Sequence, residues 1–112
     1  MTDACMDAES FDREVEDFDR KRLAIFETLI KELVKASADV DSSDFGRVFS
    51  HAQSVLGISD LQMSLLFKVS RPTIGRWTRN VTAPHRFVRK AVYDTLLHEA
   101  NNSLKGLRHQ AK

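Results

Sequence analysis

The sequence predicts an all-α protein, a small bundle of about five helices whose first helix is long. Apolar residues recur at intervals of three and four along most of the 112 residues, which is the period of one helix face. Four glycines and two prolines are too few for a collagen-like, linker-rich or low-complexity chain. No segment alternates apolar and polar residues as a half-buried strand does. The length suits one small domain, since domains usually have about 100–200 residues.

The N-terminal segment divides into a polar start and a helical remainder. Residues 1–10 are small, polar and acidic without periodicity, so we expect a disordered tail there. Residues 11–40 are expected to be helical because they carry one apolar stripe, formed by Phe11, Val15, Phe18, Ile25, Phe26, Leu29, Ile30, Leu33 and Val34. Three consecutive basic residues interrupt the stripe at positions 20–22. One long helix and two short helices therefore both remain open.

A second helix is expected to follow a turn rich in cap-forming residues. Asp41 or Ser42 can accept hydrogen bonds from the free amides of its first turn. Gly57 is expected to end it, because glycine tolerates the left-handed backbone of a C-terminal cap. The helix would carry the apolar residues Phe45, Val48, Phe49, Ala52, Val55 and Leu56.

Two short helices are predicted next, each with its own N-terminal cap. Ser59 and Gln62 have the spacing of a capping box, and the helix that they open extends to about Phe67. Ser70 is expected to cap the following helix, with Pro72 in its first turn, where a missing N–H is tolerated. The two helices are thus separated by a turn of about three residues.

A last helix is expected to begin at Pro84 and to extend to about Asn101, with apolar positions at Phe87, Val88, Ala91, Val92, Leu96 and Leu97. Residues 41–104 would then form the main helical domain. Residues 105–112 would form a basic tail.

Charge is distributed unevenly along the chain. The net charge is only +1, but residues 1–44 carry a net charge of −7 and residues 45–112 a net charge of +8. Between Lys68 and Lys90 there are seven bases and no acid. Such a stretch attracts polyanions, of which phosphate backbones are the commonest inside cells. A solvated surface, or a partner for the acidic N-terminal segment, is the alternative interpretation.

Several function classes have no support in the sequence. Cys5 is the only cysteine and the four histidines are scattered, so we expect no disulfide and no metal site. No nucleophile–base pattern and no glycine-rich phosphate loop occurs, so we expect neither an enzyme nor a bound cofactor. No apolar run approaches the about 18 residues of a membrane span, and the N-terminus does not resemble a signal peptide. The expected location is the cytoplasm.

Residues 60–80 have the form of a helix-turn-helix, in which two short helices are joined by a tight turn. The apolar residues whose spacing lets these helices lock together are Met63, Phe67, Val69, Ile74 and Trp77. The second helix then exposes Arg71, Thr73, Gly75, Arg76 and Arg79. Arginine offers a planar fork that matches the two major-groove acceptors of guanine, and it also neutralises phosphate.

Residues 45–97 resemble the Cro/repressor-type (XRE-like) helix-turn-helix family. The stretch VLGISDLQMSLLFKVSRPTIGRWTRN, residues 55–80, follows the family pattern nearly position by position, and Pro84 matches the start of the closing helix. The chain departs from the pattern at Asp60, Ser64 and Lys68, where the family favours glutamine, alanine and glycine. In that family the second helix enters the major groove of double-stranded DNA.

The resemblance implies two sets of DNA contacts in this chain. Base contacts are expected from Arg71, Pro72, Gly75 and Arg76. Phosphate contacts are expected from Ser59, Lys68, Ser70, Thr73, Arg79, Asn80, His85, Arg86 and Lys90.

The sequence therefore predicts a sequence-specific DNA-binding transcriptional regulator of bacterial or phage type, with residues 71–80 as the recognition helix. Regulators of this class usually read paired half-sites, so we expect a homodimer. Its interface is expected on the N-terminal helix, at Val15, Phe18, Ile25, Phe26, Leu29, Ile30 and Leu33. Packing of that helix over the bundle is the alternative. The rival function is a protein-interaction module, such as an antitoxin or an RNA polymerase adaptor. RNA polymerase or another transcription factor is also a candidate partner of the regulator.

Overall fold

The computed structural model describes the backbone of residues 2–110 and the side chains of residues 20–107. This part of the chain contains five helices and no strand, which confirms the predicted all-α fold. The helices are α1 (Thr2–Ala38), α2 (Phe45–Leu56), α3 (Asp60–Phe67), α4 (Arg71–Thr78) and α5 (Arg86–Gln110). None of these described helices is both long enough and apolar enough to cross a bilayer.

The first helix is uninterrupted over 37 residues, which decides between one long helix and two short ones. Residues 2–10 belong to it, so the prediction of a disordered tail is wrong for them. Neither glycine nor proline, the two residues that most disfavour a helix interior, occurs in residues 2–38. Residue 1 lies outside the described residues.

Helices α1 and α5 pack side by side and run in opposite directions. Lys90 Nζ donates a hydrogen bond to Ser37 Oγ at 3.1 Å, and Ser37 Oγ in turn donates to Asp94. Arg86 pairs with Asp41, just beyond the end of α1, at 3.0 Å. Residue numbers therefore rise along α5 as they fall along α1, and this antiparallel pair forms one side of the molecule.

The core between these helices uses residues that the sequence assigned to a dimer interface. Phe26, Leu29 and Leu33 are buried among residues of their own chain. The predicted dimer interface is therefore wrong at these three positions, and the alternative, packing of the helix over the bundle, is right there. An amphipathic stripe has the same sequence signature whether it meets its own chain or another.

The other residues of the predicted interface have different surroundings. Ile30 is partly buried and packs against the same core. Ile25 is 50% exposed. Val15 and Phe18 belong to the helical backbone of α1, but their side chains lie outside the described residues.

The second helix lies at the centre of the molecule and contacts α1, α4 and α5. Phe45 and Phe49 on α2 stack with their ring centroids 5.3 Å apart. Trp77 of α4 meets both rings edge-on at 5.6 Å, and Tyr93 of α5 lies 5.7 Å from Phe45. This aromatic cluster joins three helices across one core.

Asp44, and not Asp41 or Ser42 as expected, caps α2. Its carboxylate accepts from the amide of Arg47 at 3.3 Å. The helix begins at the residue after Asp44, so only this side chain is placed at the N-cap position. Ser42 instead donates to Asp39 within the preceding turn.

The last helix differs from its predicted bounds at both ends. It begins at Arg86, two residues after Pro84, and continues to Gln110 instead of ending near Asn101. Residues 105–110 are therefore helical, and the predicted tail is wrong for them. Residues 111 and 112 lie outside the described residues.

The buried face of α5 is formed by Val92, Tyr93, Leu96, Ala100 and Leu104. Phe87 and Val88, expected on this face, are exposed. They belong to the first turn of α5, where Arg86 pairs with Asp41 of the turn that follows α1.

Candidate nucleic-acid interface

Helices α3 and α4 begin at the caps that the sequence predicts. Ser59 Oγ accepts from the Gln62 amide at 3.1 Å, and Gln62 Oε1 accepts from the Ser59 amide at 2.9 Å, which completes a capping box. Ser70 Oγ accepts from the Thr73 amide at 3.2 Å, with Pro72 in the first turn of α4. Both serines, which are predicted to contact phosphate, are thus also the N-caps of α3 and α4.

Residues 68–70 form the turn between the two helices. Lys68 has a left-handed backbone, with φ of 58° and ψ of 43°, and its amide donates to the Ser64 carbonyl. The Val69 amide donates to the same carbonyl at 3.1 Å. Glycine reaches this conformation readily, whereas a residue with a Cβ is disfavoured there. The backbone thus explains why a glycine is favoured at this position of such a turn.

The five apolar residues predicted to lock the two helices together all contribute to the core. Met63 and Ile74 are completely buried and Trp77 is 6% exposed. Phe67 and Val69 are partly buried and pack against them. The side of α4 that carries Ile74 and Trp77 therefore faces inward, which fixes the side that faces outward.

The outward side of α4 carries the four residues predicted to contact bases, Arg71, Pro72, Gly75 and Arg76, and none of them is buried. Arg71 and Arg76 are about 140° apart around the helix axis, so they flank an arc that also holds Gly75 and Arg79. The guanidinium of Arg76 donates to Thr73 Oγ1 at 3.1 Å, which holds it at one edge of the arc.

The bases of this surface are not neutralised by described acids. The described ion pairs involve Arg47, Arg86 and Lys90, and the ring of His51 contacts Glu32. Within the described part of the chain, no ion pair is formed by Lys68, Arg71, Arg76 or Arg79. We call these four residues and Gly75 the basic arc. It presents four positive charges to solvent on one turn and one short helix.

Neither the backbone conformation nor the packing of this chain requires a glycine at position 75. Its φ is not positive, and a Cβ placed on it would meet only the guanidinium of Arg79, at 3.9 Å, which is ordinary contact. A glycine inside a helix costs about 1 kcal/mol relative to alanine. The fold would therefore be more stable with alanine here. What glycine provides is a stretch of bare backbone between Arg71 and Arg76 that an external surface can approach.

Asn80, a predicted phosphate contact, packs with its side chain against Gly46 of the same chain. It has a left-handed φ of 60° just after α4. Its side chain lies so close to Gly46 of α2 that a Cβ on Gly46 would be 2.5 Å from Asn80 Oδ1. This contact joins the end of α4 to the start of α2.

The predicted phosphate contacts around the start of α5 are engaged within the chain. Arg86 pairs with Asp41 at 3.0 Å and Lys90 with Asp94 at 3.2 Å. The ring of His85 stacks on Phe87 with centroids 5.1 Å apart. Arg86 and Lys90 are therefore partly neutralised. The pairing of Arg86 with an acid 45 positions away could not be read from the sequence.

One exposed feature of α3 was missed by the sequence analysis. Leu61 and Leu65, one helical turn apart, are 49% and 70% exposed, and we call them the leucine face. The sequence does indicate such a surface, because apolar residues occur on every side of this short helix. In the structure only Met63 and Ser64 of α3 are buried. A helix that is apolar all round is usually covered on all sides.

Comparison of the chain with family models, with curated proteins and with solved structures finds no match.

Proposed function

We propose that this protein is a sequence-specific double-stranded DNA-binding transcriptional regulator of bacterial or phage type, acting at the nucleoid as a homodimer. The observation that carries the proposal is the basic arc, four bases without a described acid partner around a glycine that the fold does not need. The resemblance of residues 45–97 to Cro/repressor-type proteins supports the same function.

In this proposal α4 lies in the major groove with Arg71 and Arg76 on either side of Gly75. Each guanidinium can donate two hydrogen bonds to O6 and N7 of a guanine. The missing side chain at Gly75 lets the helix backbone come close to the base edges between them. Lys68 and Arg79 neutralise phosphates, which positions the helix but carries no sequence information directly.

The substitution Gly75→Ala tests the proposal because stability and binding are expected to change in opposite directions. Alanine should raise the free energy of unfolding by about 0.5–1 kcal/mol, since it favours the helix and meets no steric barrier. The added methyl group should weaken binding at least about tenfold, or about 1.4 kcal/mol, to a duplex that the wild-type protein selects from a random pool.

Gly106→Ala provides the matched control. Gly106 lies inside α5, is exposed, and has nothing within 4 Å of an added Cβ. This variant should also be more stable and should bind the selected duplex as the wild type does. If the wild-type protein enriches no sequence, or if Gly75→Ala binds undiminished, the proposal fails.

A further inference from the structure

Arg76 differs from the other arginines of the basic arc because its guanidinium is held by a neighbouring side chain. Its Nη2 donates to Thr73 Oγ1 at 3.1 Å, and the two residues are three positions apart on α4, which makes them neighbours on one side of the helix. In the described part of the chain, no hydrogen bond or ion pair holds the guanidinium of Arg71 or Arg79. Thr73 is therefore a partner that only Arg76 has.

The hydroxyl that accepts from Arg76 is itself fixed by the cap of α4. Ser70 Oγ accepts from the Thr73 amide at 3.2 Å, and the hydroxyls of Ser70 and Thr73 form a hydrogen bond of 2.8 Å in which either can donate. Threonine is branched at Cβ, which restricts its χ1 angle. Hydrogen bonds thus run without a gap from the backbone at the start of α4, through two hydroxyls, to the guanidinium of Arg76.

A guanidinium that is held on one side still has donors for a base. It carries five N–H groups in one plane, and the described contact with Thr73 uses Nη2 alone. Two parallel N–H groups remain for O6 and N7 of a guanine. Arg76 is exposed, so without a partner its long side chain would lose rotamer freedom on binding DNA, which weakens binding. The hydrogen bond to Thr73 removes part of this loss in the free protein.

The family resemblance implies another role for Thr73, a direct contact with phosphate. The structure gives its hydroxyl two partners in its own chain, Arg76 and Ser70. A hydroxyl has one hydrogen to donate, and a phosphate oxygen only accepts. When Thr73 donates this hydrogen to Ser70, none is left for phosphate. The two roles therefore predict different results when the hydroxyl is removed.

We infer that Thr73 is a positioning residue, which orients Arg76 for a guanine of the bound duplex and does not itself contact DNA. This inference rests on the proposed function, because that function assigns a base to Arg76. It adds that selectivity at this base pair depends on a hydroxyl that carries no sequence information of its own. No described residue orients Arg71 in the same way.

Thr73→Val removes the hydroxyl but keeps the branched shape and the amide that Ser70 caps. Its affinity for the selected duplex should fall about three- to tenfold, because the side chain of Arg76 is no longer ordered before binding. The loss should concentrate on the base pair at which Arg76→Ala relaxes the preference. Thr73→Ser, which keeps the hydroxyl, should bind as the wild type does.

Thr95→Val provides the matched control for removal of a threonine hydroxyl. Thr95 Oγ1 donates to the Ala91 carbonyl at 2.9 Å within α5, away from the basic arc. This variant should bind selected and scrambled duplexes as the wild type does. A loss equal to that of Thr73→Val would overturn the inference, because it would make the effect independent of Arg76.

The combination of Thr73→Val with Arg76→Ala separates positioning from direct contact. A residue that acts only through Arg76 has no further effect once that side chain is removed, so the double variant should bind as Arg76→Ala does. A further loss from Thr73→Val in this background, on selected and scrambled duplexes alike, overturns the inference and makes Thr73 a phosphate contact.

A measurement without DNA separates failure of this inference from failure of the proposed function. Nitrogen relaxation of the Arg76 side chain in the free protein should show larger fast motions in Thr73→Val than in the wild type or in Thr73→Ser. If the wild-type protein enriches no sequence, the proposed function fails and base reading by Arg76 fails with it. If it does enrich a sequence, and Thr73→Val leaves either the binding or the motion of Arg76 unchanged, only the positioning role is overturned.

Discussion

Left-handed backbone occurs at two described residues other than glycine, Lys68 and Asn80, which follow the short helices α3 and α4. Asparagine adopts this conformation more easily than lysine, because its short polar side chain can form local hydrogen bonds. The conformational cost, roughly 1–2 kcal/mol for such a residue, therefore falls mainly on Lys68. The lysine at this position therefore lowers the stability of the fold and places a positive charge beside α4.

Lys68→Gly should separate these two effects. Glycine should raise the free energy of unfolding by about 0.5–1 kcal/mol, because it removes the Cβ from a left-handed residue. Loss of the charge should weaken duplex binding and reduce the salt slope of log K by about one. Denaturant unfolding and titrations at several salt concentrations measure both. Lys31→Gly, at an exposed position inside α1, is the control and should lower stability by about 1 kcal/mol.

Arg76→Ala tests base reading within the proposed function. Loss of a bidentate contact to guanine should cost about 1–3 kcal/mol on the selected duplex and relax the preference at one base pair. Arg86→Ala is the comparison, because Arg86 is already paired with Asp41 and should contribute less to binding on any sequence. If Arg76→Ala loses the same binding free energy on selected and scrambled duplexes, Arg76 contacts phosphate and does not read a base.

At the scale of elements, local signals predicted the helices better than they predicted what the helices pack against. The caps at Ser59 and Ser70 act within four residues, so the sequence placed the starts of α3 and α4 correctly. The stripe of α1 could not reveal its partner, and the burial of Phe26 against its own chain appears only in the fold. Within the candidate site, the helical period of the apolar residues predicted which side of α4 is exposed. The hydrogen bond from Lys90 to Ser37 could not be predicted, because it joins residues 53 positions apart.

The contact between α2 and the end of α4 predicts a compensating pair of substitutions. Gly46→Ala should destabilise the protein by about 1–3 kcal/mol, as overpacked cores are, because its methyl group would overlap the side chain of Asn80. Asn80→Gly should be tolerated, since glycine accepts the left-handed φ of 60°. The double variant should recover most of the loss. Additive effects in a double-mutant cycle of unfolding free energies would show that the two positions do not interact.

At the scale of the whole molecule, the acidic and basic halves of the chain meet where α1 and the following turn contact α5. The hydrogen bond from Ser37, together with Lys90, lowers the pKa of the Asp94 carboxyl. A lowered pKa means that this carboxylate stabilises the fold above its ordinary pKa and that the contribution is lost as the pH falls. Asp94→Asn should therefore lower stability at neutral pH and flatten its decline in acid, as thermal melts across a pH series would show. A decline as steep as that of the wild type would assign the acid sensitivity to other carboxyl groups.

Tyr93 sets the corresponding behaviour in alkali. Burial in the core raises the pKa of this phenol, although its hydrogen bond with Ser43, at 2.8 Å, partly opposes the shift. The unfolded chain then loses its phenolic proton near the ordinary pKa of about 10, while the folded chain keeps it. Stability should therefore fall as the pH rises above that value.

Tyr93 is the only tyrosine, so the near-ultraviolet absorbance of tyrosinate reports its ionisation directly. We expect this titration to lie above that of the denatured chain, and Tyr93→Phe to reduce the alkaline loss of stability. Coincident titrations of the folded and denatured chains would show that the phenol is not shielded from water.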